Sequence, residues 1–138
     1  MNLYLHATPE VGIQFYQNYA GKGKVVMLNL LRYREMADYF QSPNIAPKEE
    51  LDGRTAYKVY MKQAAPLIQE VGGEVLLWGE SQQFLIGPEA EKWDAVLLVQ
   101  YPSAEQFVAF AQSEAYQKVA PYRTAALADS RLLPILPK

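Results

Sequence analysis

The chain has 138 residues, half of them apolar, no cysteine and a net charge of -2 from 15 acidic and 13 basic side chains. That composition suffices for one domain, residues 1–138, with its own core, and it excludes disulfides, thiolate nucleophiles and cysteine-bound metals. Scattered, nearly balanced charge gives no electrostatic basis for nucleic acid or an anionic membrane as partner; with no basic-then-apolar leader and no apolar run near the ~20 residues of a membrane span, a cytoplasmic protein is expected.

Thr8, Pro9 and Glu10 read as a helix start: a capping hydroxyl, a ring that presets φ, and a carboxylate at the positive dipole end. An extra N-terminal helix over residues 8–20 follows, with Val11, Phe15, Tyr16 and Tyr19 as its packed side. The GKGK segment at Gly21 to Lys24 lacks the rest of a phosphate-binding loop and reads as a turn. Val25 to Tyr33, VVMLNLLRY, is the stretch that organises the chain. As a strand it points Val25, Met27, Asn29, Leu31 and Tyr33 one way and Val26, Leu28, Leu30 and Arg32 the other. Neither set is polar enough for water, so both faces should be covered.

From Arg34 to Gly53 the periodicity is lost, which marks an insertion of the kind that lines or covers a pocket, with a short helical turn near Met36 to Phe40. Arg54 to Val71 carries an apolar stripe of Tyr57, Tyr60, Met61, Ala64, Ile68 and Val71; Pro66 should kink or divide it, and Gly72 and Gly73 should stop it. Glu74 to Gly87 reads as a second strand with Gly79 as a bulge, and Trp93 to Tyr101 as a third, apolar on both faces. Ser103 and Gln106 have capping-box spacing, with Phe107, Phe110 and Ala111 as the buried side of the helix they open. Ser113 and Glu114 look like a second start, broken at Pro121, with a last turn to Ala128. SRLLPILPK closes the chain as an edge strand, where Pro134 is tolerated.

Without the first helix the order is strand, helix, strand, strand, helix, strand, which is the α+β ferredoxin-like βαββαβ pattern: a four-stranded antiparallel sheet with its helices on one face. The opposite face would leave half a dozen large apolar residues in water, forfeiting on the order of 10 kcal/mol. A homodimer packed sheet against sheet is therefore expected.

The segments YKVYMKQAAPLIQEVGGEVLLWGE from Tyr57 and WDAVLLVQYPSAEQFVAFAQSEAYQKVAPYRTAALADSRLLP from Trp93 carry a family resemblance. Their AAPLI followed by GG, the YPS junction, and the SEAY and YRTAA helix pieces resemble the family called domain of unknown function thirteen-thirty, within the dimeric alpha-beta barrel superfamily. The resemblance implies the fold and the dimer, and no particular reaction. Wider relatives include cofactor-independent monooxygenases, muconolactone-type isomerases, haem-degrading enzymes and simple dimerising domains, several with a site between sheet and helices. The haem-degrading kind uses a first-strand Asn, a Trp and a helix His. Asn29 and Trp78 match two of these, but the single histidine, His6, precedes the first helix, which argues against haem. The first helix and the residue 34–53 insertion exceed the family's minimal domain.

Asn29 among apolar neighbours needs a partner, since a buried unpaired amide costs ~1–3 kcal/mol; that partner is a ligand carbonyl or enolate, or a group of the protein itself. Arg123 can clamp a carboxylate, or pair with Asp129, Glu114 or an acid of a partner chain. Arg32 is a weaker candidate of the same kind. Tyr57, Tyr116, Trp78 and Trp93 either line an aromatic pocket or fill the core. Glu80 and Asp94 are acids or bases on strands, or members of cross-strand pairs. His6 alone makes no metal site, and no cofactor or metal is expected. The expectation is a cofactor-independent oxygenase or isomerase acting on a small unsaturated or aromatic carbonyl compound, with Asn29 and Arg123 polarising its oxygens and Tyr57, Trp78 and Tyr116 as walls. The alternatives are a non-catalytic dimeric binding or stress-related module using the same cleft, and a purely structural dimer.

Overall fold

Strand β1 (Val25–Tyr33) has a neighbour on each side, and the rest of the sheet is built outward from it. The structure, a computed structural model, describes residues 2–138. β1 pairs antiparallel with β3 (Ala95–Tyr101) and with β4 (Leu127–Ile135), and β3 pairs antiparallel with β2 (Glu74–Glu80), giving the order β2-β3-β1-β4. The helices are α1 (Pro9–Tyr19), α2 (Gly53–Glu70), α3 (Ala104–Gln112) and α4 (Glu114–Ala126). This is the ferredoxin-like βαββαβ arrangement, preceded by α1 and with its second helix in two pieces. Among the described residues no helix is long and apolar enough to cross a membrane.

Register separates the two faces. Val25, Met27 and Leu31 of β1 join Ala95, Leu97, Val99 and Tyr101 of β3 in the core, under Tyr57, Tyr60, Met61, Ala64 and Ile68 of α2. The alternate row is Leu28 and Leu30 of β1, Val96 and Leu98 of β3, Leu77 of β2, and Leu133 and Ile135 of β4. None of these belongs to the core, and Leu77 and Leu133 are 52% and 57% exposed. The sheet therefore carries a second apolar face that its own helices do not cover.

Local chemistry explains most boundaries. The Thr8, Asp52, Ser103 and Ser113 side chains accept hydrogen bonds from the amides of Val11, Thr55, Gln106 and Tyr116, and each so caps a helix. α2 stops where Gly72 turns into the left-handed region at φ +82°. Its other end needs a glycine for space: a Cβ on Gly53 would lie against the Arg34 carbonyl oxygen and 2.7 Å from that of Ala126.

Several expectations are corrected. Neither proline divides a helix; Pro66 and Pro121 lie within α2 and α4, and the carbonyls they leave unbonded belong to the exposed residues Lys62 and Gln117, where water can serve them. Residues 36–40 form no helical turn, because Asp38 Oδ1 accepts the Phe40 amide at 2.9 Å in an Asx turn, and the one helical turn in the insertion is 3-10, at Pro43–Ile45. Of the α1 stripe only Phe15 and Tyr19 pack on the body, while Val11 and Tyr16 are exposed. β2 ends at Glu80; the chain then runs out and back as a loop held by the Gln83–Lys92 bridge, and Trp93 belongs to that loop. Gly79 pairs regularly with Val96. The bulge lies between Val75 and Leu77 instead, so that Val75 and Trp78, three apart, both face the helices.

Candidate ligand groove

The bulge in β2 creates the open feature on the helical side. Val75 and Trp78, opposite Val99 and Leu97, are core-facing residues of an edge strand, yet they are 39% and 40% exposed. They stay uncovered because α2 packs chiefly on α4, and the side it turns toward β2 carries Ala65, too short to fill the gap, and Lys58 and Lys62, whose heads reach water. Lys58, Met61, Lys62, Ala65, Val75 and Trp78 line the resulting groove of about 370 Å³. Its walls are almost wholly apolar, and its cations sit at the lip.

One turn before Lys58, a charged pair bridges α2 to the end of β2. Arg54 Nη1 meets Glu80 Oε1 at 2.6 Å, and the Arg54 guanidinium lies 5.1 Å from the Tyr33 ring centroid. Behind Trp78 the aromatic packing continues inward. The Tyr57 ring is 5.9 Å from Trp78 in an edge contact and 5.2 Å from Tyr60, and Tyr60 Oη and Tyr116 Oη share a 2.8 Å hydrogen bond. Burial pushes the Tyr57 and Tyr60 hydroxyls well above the ordinary tyrosine value, with the nearby Arg123 charge opposing.

The residues singled out from sequence lie on both faces of the sheet. Tyr57, Trp78, Tyr116 and Arg123 share the helical side of the sheet, with Trp78 lining the open groove and Tyr57 fully buried. Arg123 donates through Nη1 to the Leu5 carbonyl at 2.7 Å and through Nη2 to Ser130 Oγ at 3.2 Å, so it holds the N-terminal segment against β4 instead of pairing with Asp129 or Glu114. Asn29 is buried in the core-facing row, and its Nδ2 donates to the carbonyls of Leu97 at 3.1 Å and Met27 at 3.4 Å. Arg32 is on the other face. It donates through Nη2 to the Lys92 carbonyl at 2.6 Å, stacks 4.8 Å from the Trp93 centroid and lies 3.6 Å from Asp129.

The fold and the groove can be set beside known proteins. Residues 45–134 match the model of Domain of unknown function (DUF1330). The chain belongs to this family. Two crystal structures of the RPA0582 protein from Rhodopseudomonas palustris, itself of unknown function, resemble the DUF1330 chain described here over nearly all of both chains. The methylated form has 35% identity, a TM-score of 0.87 and covers 100% of this chain and 97% of that one; the other has 34%, 0.84, 99% and 98%. The fold alone is shared with a dimeric ferredoxin-like protein of unknown function from Bacteroides fragilis (10% identity, TM-score 0.50, 82% of this chain and 95% of that one). It is shared likewise with a hydroxynitrile lyase from Passiflora edulis (13%, 0.52, 83% and 94%). Among curated proteins none is similar in sequence.

Every groove residue lies within the DUF1330 segment, as do Tyr57, Tyr116 and Arg123, whereas Asn29 and Arg32 precede it. Sequence reasoning found Trp78 but not Lys58, Met61, Lys62, Ala65 and Val75. The signal for the lysines was present: Arg54, Lys58 and Lys62 recur every four residues, next to the apolar stripe of α2. The signal for Val75 was absent, because strict alternation places it opposite Trp78 and only the bulge brings the two together.

Proposed function

We propose that this DUF1330 protein is a homodimer, joined through the apolar face of its sheet, that binds a small apolar molecule in the α2–β2 groove of each subunit. The observation that carries the reading is Trp78, an indole on the core-facing row of β2 that is 40% exposed over an apolar groove. A concave, mostly apolar site with a few polar groups at its rim is the usual composition of a small-molecule site. The uncovered row of Leu28, Leu30, Leu77, Val96, Leu98, Leu133 and Ile135 supports the dimer, and the Bacteroides fragilis protein of the same fold is dimeric. A cytoplasmic location is part of the proposal and is checked by cell fractionation.

The test is native mass spectrometry of the protein as purified, followed by identification of whatever dissociates from it. Trp78→Ala should lose the bound mass while keeping its fold by circular dichroism. Retention of the same mass by that variant would remove the groove as the site.

A second, catalytic reading is favoured by the Tyr57, Tyr60, Tyr116 and Arg123 group behind the groove, and an enzyme, the Passiflora edulis hydroxynitrile lyase, shares the fold. In it a small unsaturated or aromatic carbonyl compound is turned over without a cofactor, as by an oxygenase or isomerase, with Asn29 and Arg123 polarising its oxygens. Both would have to exchange their present protein partners for substrate, a cost of about 1–3 kcal/mol for each group left unpaired. The binding reading requires no such exchange and is preferred. Turnover of the recovered ligand that falls at least tenfold in Asn29→Ala and Arg123→Ala would reverse that preference.

A further inference from the structure

The groove carries two lysines that, among the described residues, no ion pair neutralises. Arg54, Lys58 and Lys62 form a row of cations along the side of α2 that faces β2, one turn apart. Glu80, at the end of β2, pairs with Arg54 at 2.6 Å. Among the described residues neither lysine has a carboxylate within 4 Å; the ion pairs are made by Arg32, Arg54, Lys118 and Arg131. Like charges four residues apart destabilise a helix by a few tenths of a kcal/mol, so this spacing does not serve α2 itself. The core-facing residues of β2 beneath the lysines are Val75 and Trp78, which supply no counter-charge, and Asp52, the nearest acid before them on the chain, caps the Thr55 amide and shares its charge between Arg54 and Lys58 without forming an ion pair with either.

We propose that the groove takes a flat apolar acid, an aromatic carboxylate or a molecule of the same shape and charge, with its ring on the Trp78 indole and its anionic group between the Lys58 and Lys62 ammonium groups. The inference rests on the groove being a ligand site and adds the ligand's class. Met61, Ala65 and Val75 give the ring an apolar floor, while the lysine stems flank it and carry their charges to the rim, where the anionic end stays partly solvated. A neutral compound of the same shape meets the same floor without the charge contact. The protein should therefore discriminate by charge, and less so at high salt.

The experiment compares 2-naphthoate with 2-naphthylmethanol on the full chain, by isothermal titration calorimetry and by quenching of Trp78 in a Trp93→Phe background. The wild type should bind the acid about tenfold more tightly than the alcohol, as expected for an anion against two rim charges. Lys58→Gln with Lys62→Gln should bring the acid down to the alcohol without changing the alcohol's affinity. Lys58→Glu with Lys62→Glu should invert the preference toward 2-naphthylmethylammonium. Equal affinities in the wild type, or a preference that survives both lysine pairs, would overturn the ligand class while leaving the groove as a site. Binding of neither naphthyl compound, or binding unchanged in Trp78→Ala, would overturn the groove and the class together.

Discussion

Substituting Leu133→Glu tests whether the second apolar face is a subunit interface. Leu133 lies opposite Leu28 on the row that the helices do not cover, and 57% of it is exposed in the single chain. Fully burying a leucine contributes about 1.5–3 kcal/mol, so a partner that covers the exposed half adds about 1–1.5 kcal/mol per subunit. Twofold symmetry counts each substitution twice, giving about 2–3 kcal/mol per dimer. At 1.4 kcal/mol for each factor of ten, the dimer constant should weaken about 30- to 150-fold from lost apolar contact alone. The introduced carboxylate must also be desolvated, which adds to the loss.

Sedimentation velocity over a nanomolar to micromolar dilution series reads this directly, the wild type sedimenting at twice the 15.6 kDa of the chain. Leu77→Glu, at 52% exposure on the same row, should act in the same direction. Val11→Glu, exposed on α1 and remote from that row, should leave the constant unchanged. A wild type that sediments as one chain at micromolar concentration, or a Leu133→Glu constant within about threefold of wild type, would refute the reasoning.

Further outcomes follow from single contacts. Gly53→Ala should lower stability by about 3 kcal/mol in urea unfolding, because the new methyl meets backbone atoms of Arg34 and Ala126 that no rotamer change can move; a loss below about 1 kcal/mol would mean that the helix start shifts freely. Burial raises the Tyr57, Tyr60 and Tyr101 hydroxyls, so above pH ~10 the unfolded chain releases protons that the folded one keeps, and stability should fall by about 1.4 kcal/mol per pH unit for each; Tyr101→Phe should make the fall shallower in pH-dependent unfolding. For Asp129, burial pushes the carboxyl up, but the Tyr4 and Ser130 amides and Arg131 outweigh it and hold the group below its ordinary value. Its contribution is thus present above pH ~4 and lost as pH falls through the lowered value, so Asp129→Asn should flatten the acid limb of the stability curve.

Much of this architecture is legible in the chain because it depends on periods of two and four. VVMLNLLRY and AVLLVQY have no polar face, which reads as a sheet apolar on both sides; helices cover one side, and the other is apolar and uncovered in the single chain. The caps at Thr8, Ser103 and Ser113 are read from single residues whose side chains do what their position implies. The prolines divide no helix because their cost depends on whether the freed carbonyl finds another partner, and the carbonyls freed here belong to the exposed residues Lys62 and Gln117. Asn29 was conspicuous as an amide among apolar neighbours, and Arg123 as the arginine of the YRTAA helix piece. Their partners include the backbone carbonyls of Leu97 and Leu5, 68 and 118 positions away in sequence, which no local pattern encodes.

The groove is a consequence of the same long-range geometry. α2 begins at a glycine because its first turn must come within van der Waals contact of the Arg34 and Ala126 backbones, and that approach sets the helix toward α4. α2 covers β2 only in part: Tyr57 reaches the Trp78 ring at 5.9 Å, while Val75 and Trp78 stay 39% and 40% exposed. The bulge after Val75 then turns a second apolar side chain to the same side as Trp78, which widens the uncovered strip to the size of a small molecule. A close contact at one end of α2 and one extra residue in β2 thus accompany an apolar opening on the helical side of the sheet, and the lysines on the flank of α2 give it a sign. If position 53 sets the helix in this way, Gly53→Ala should alter the groove as well as the stability, and Trp78 emission in a Trp93→Phe background should shift even in the fully folded protein.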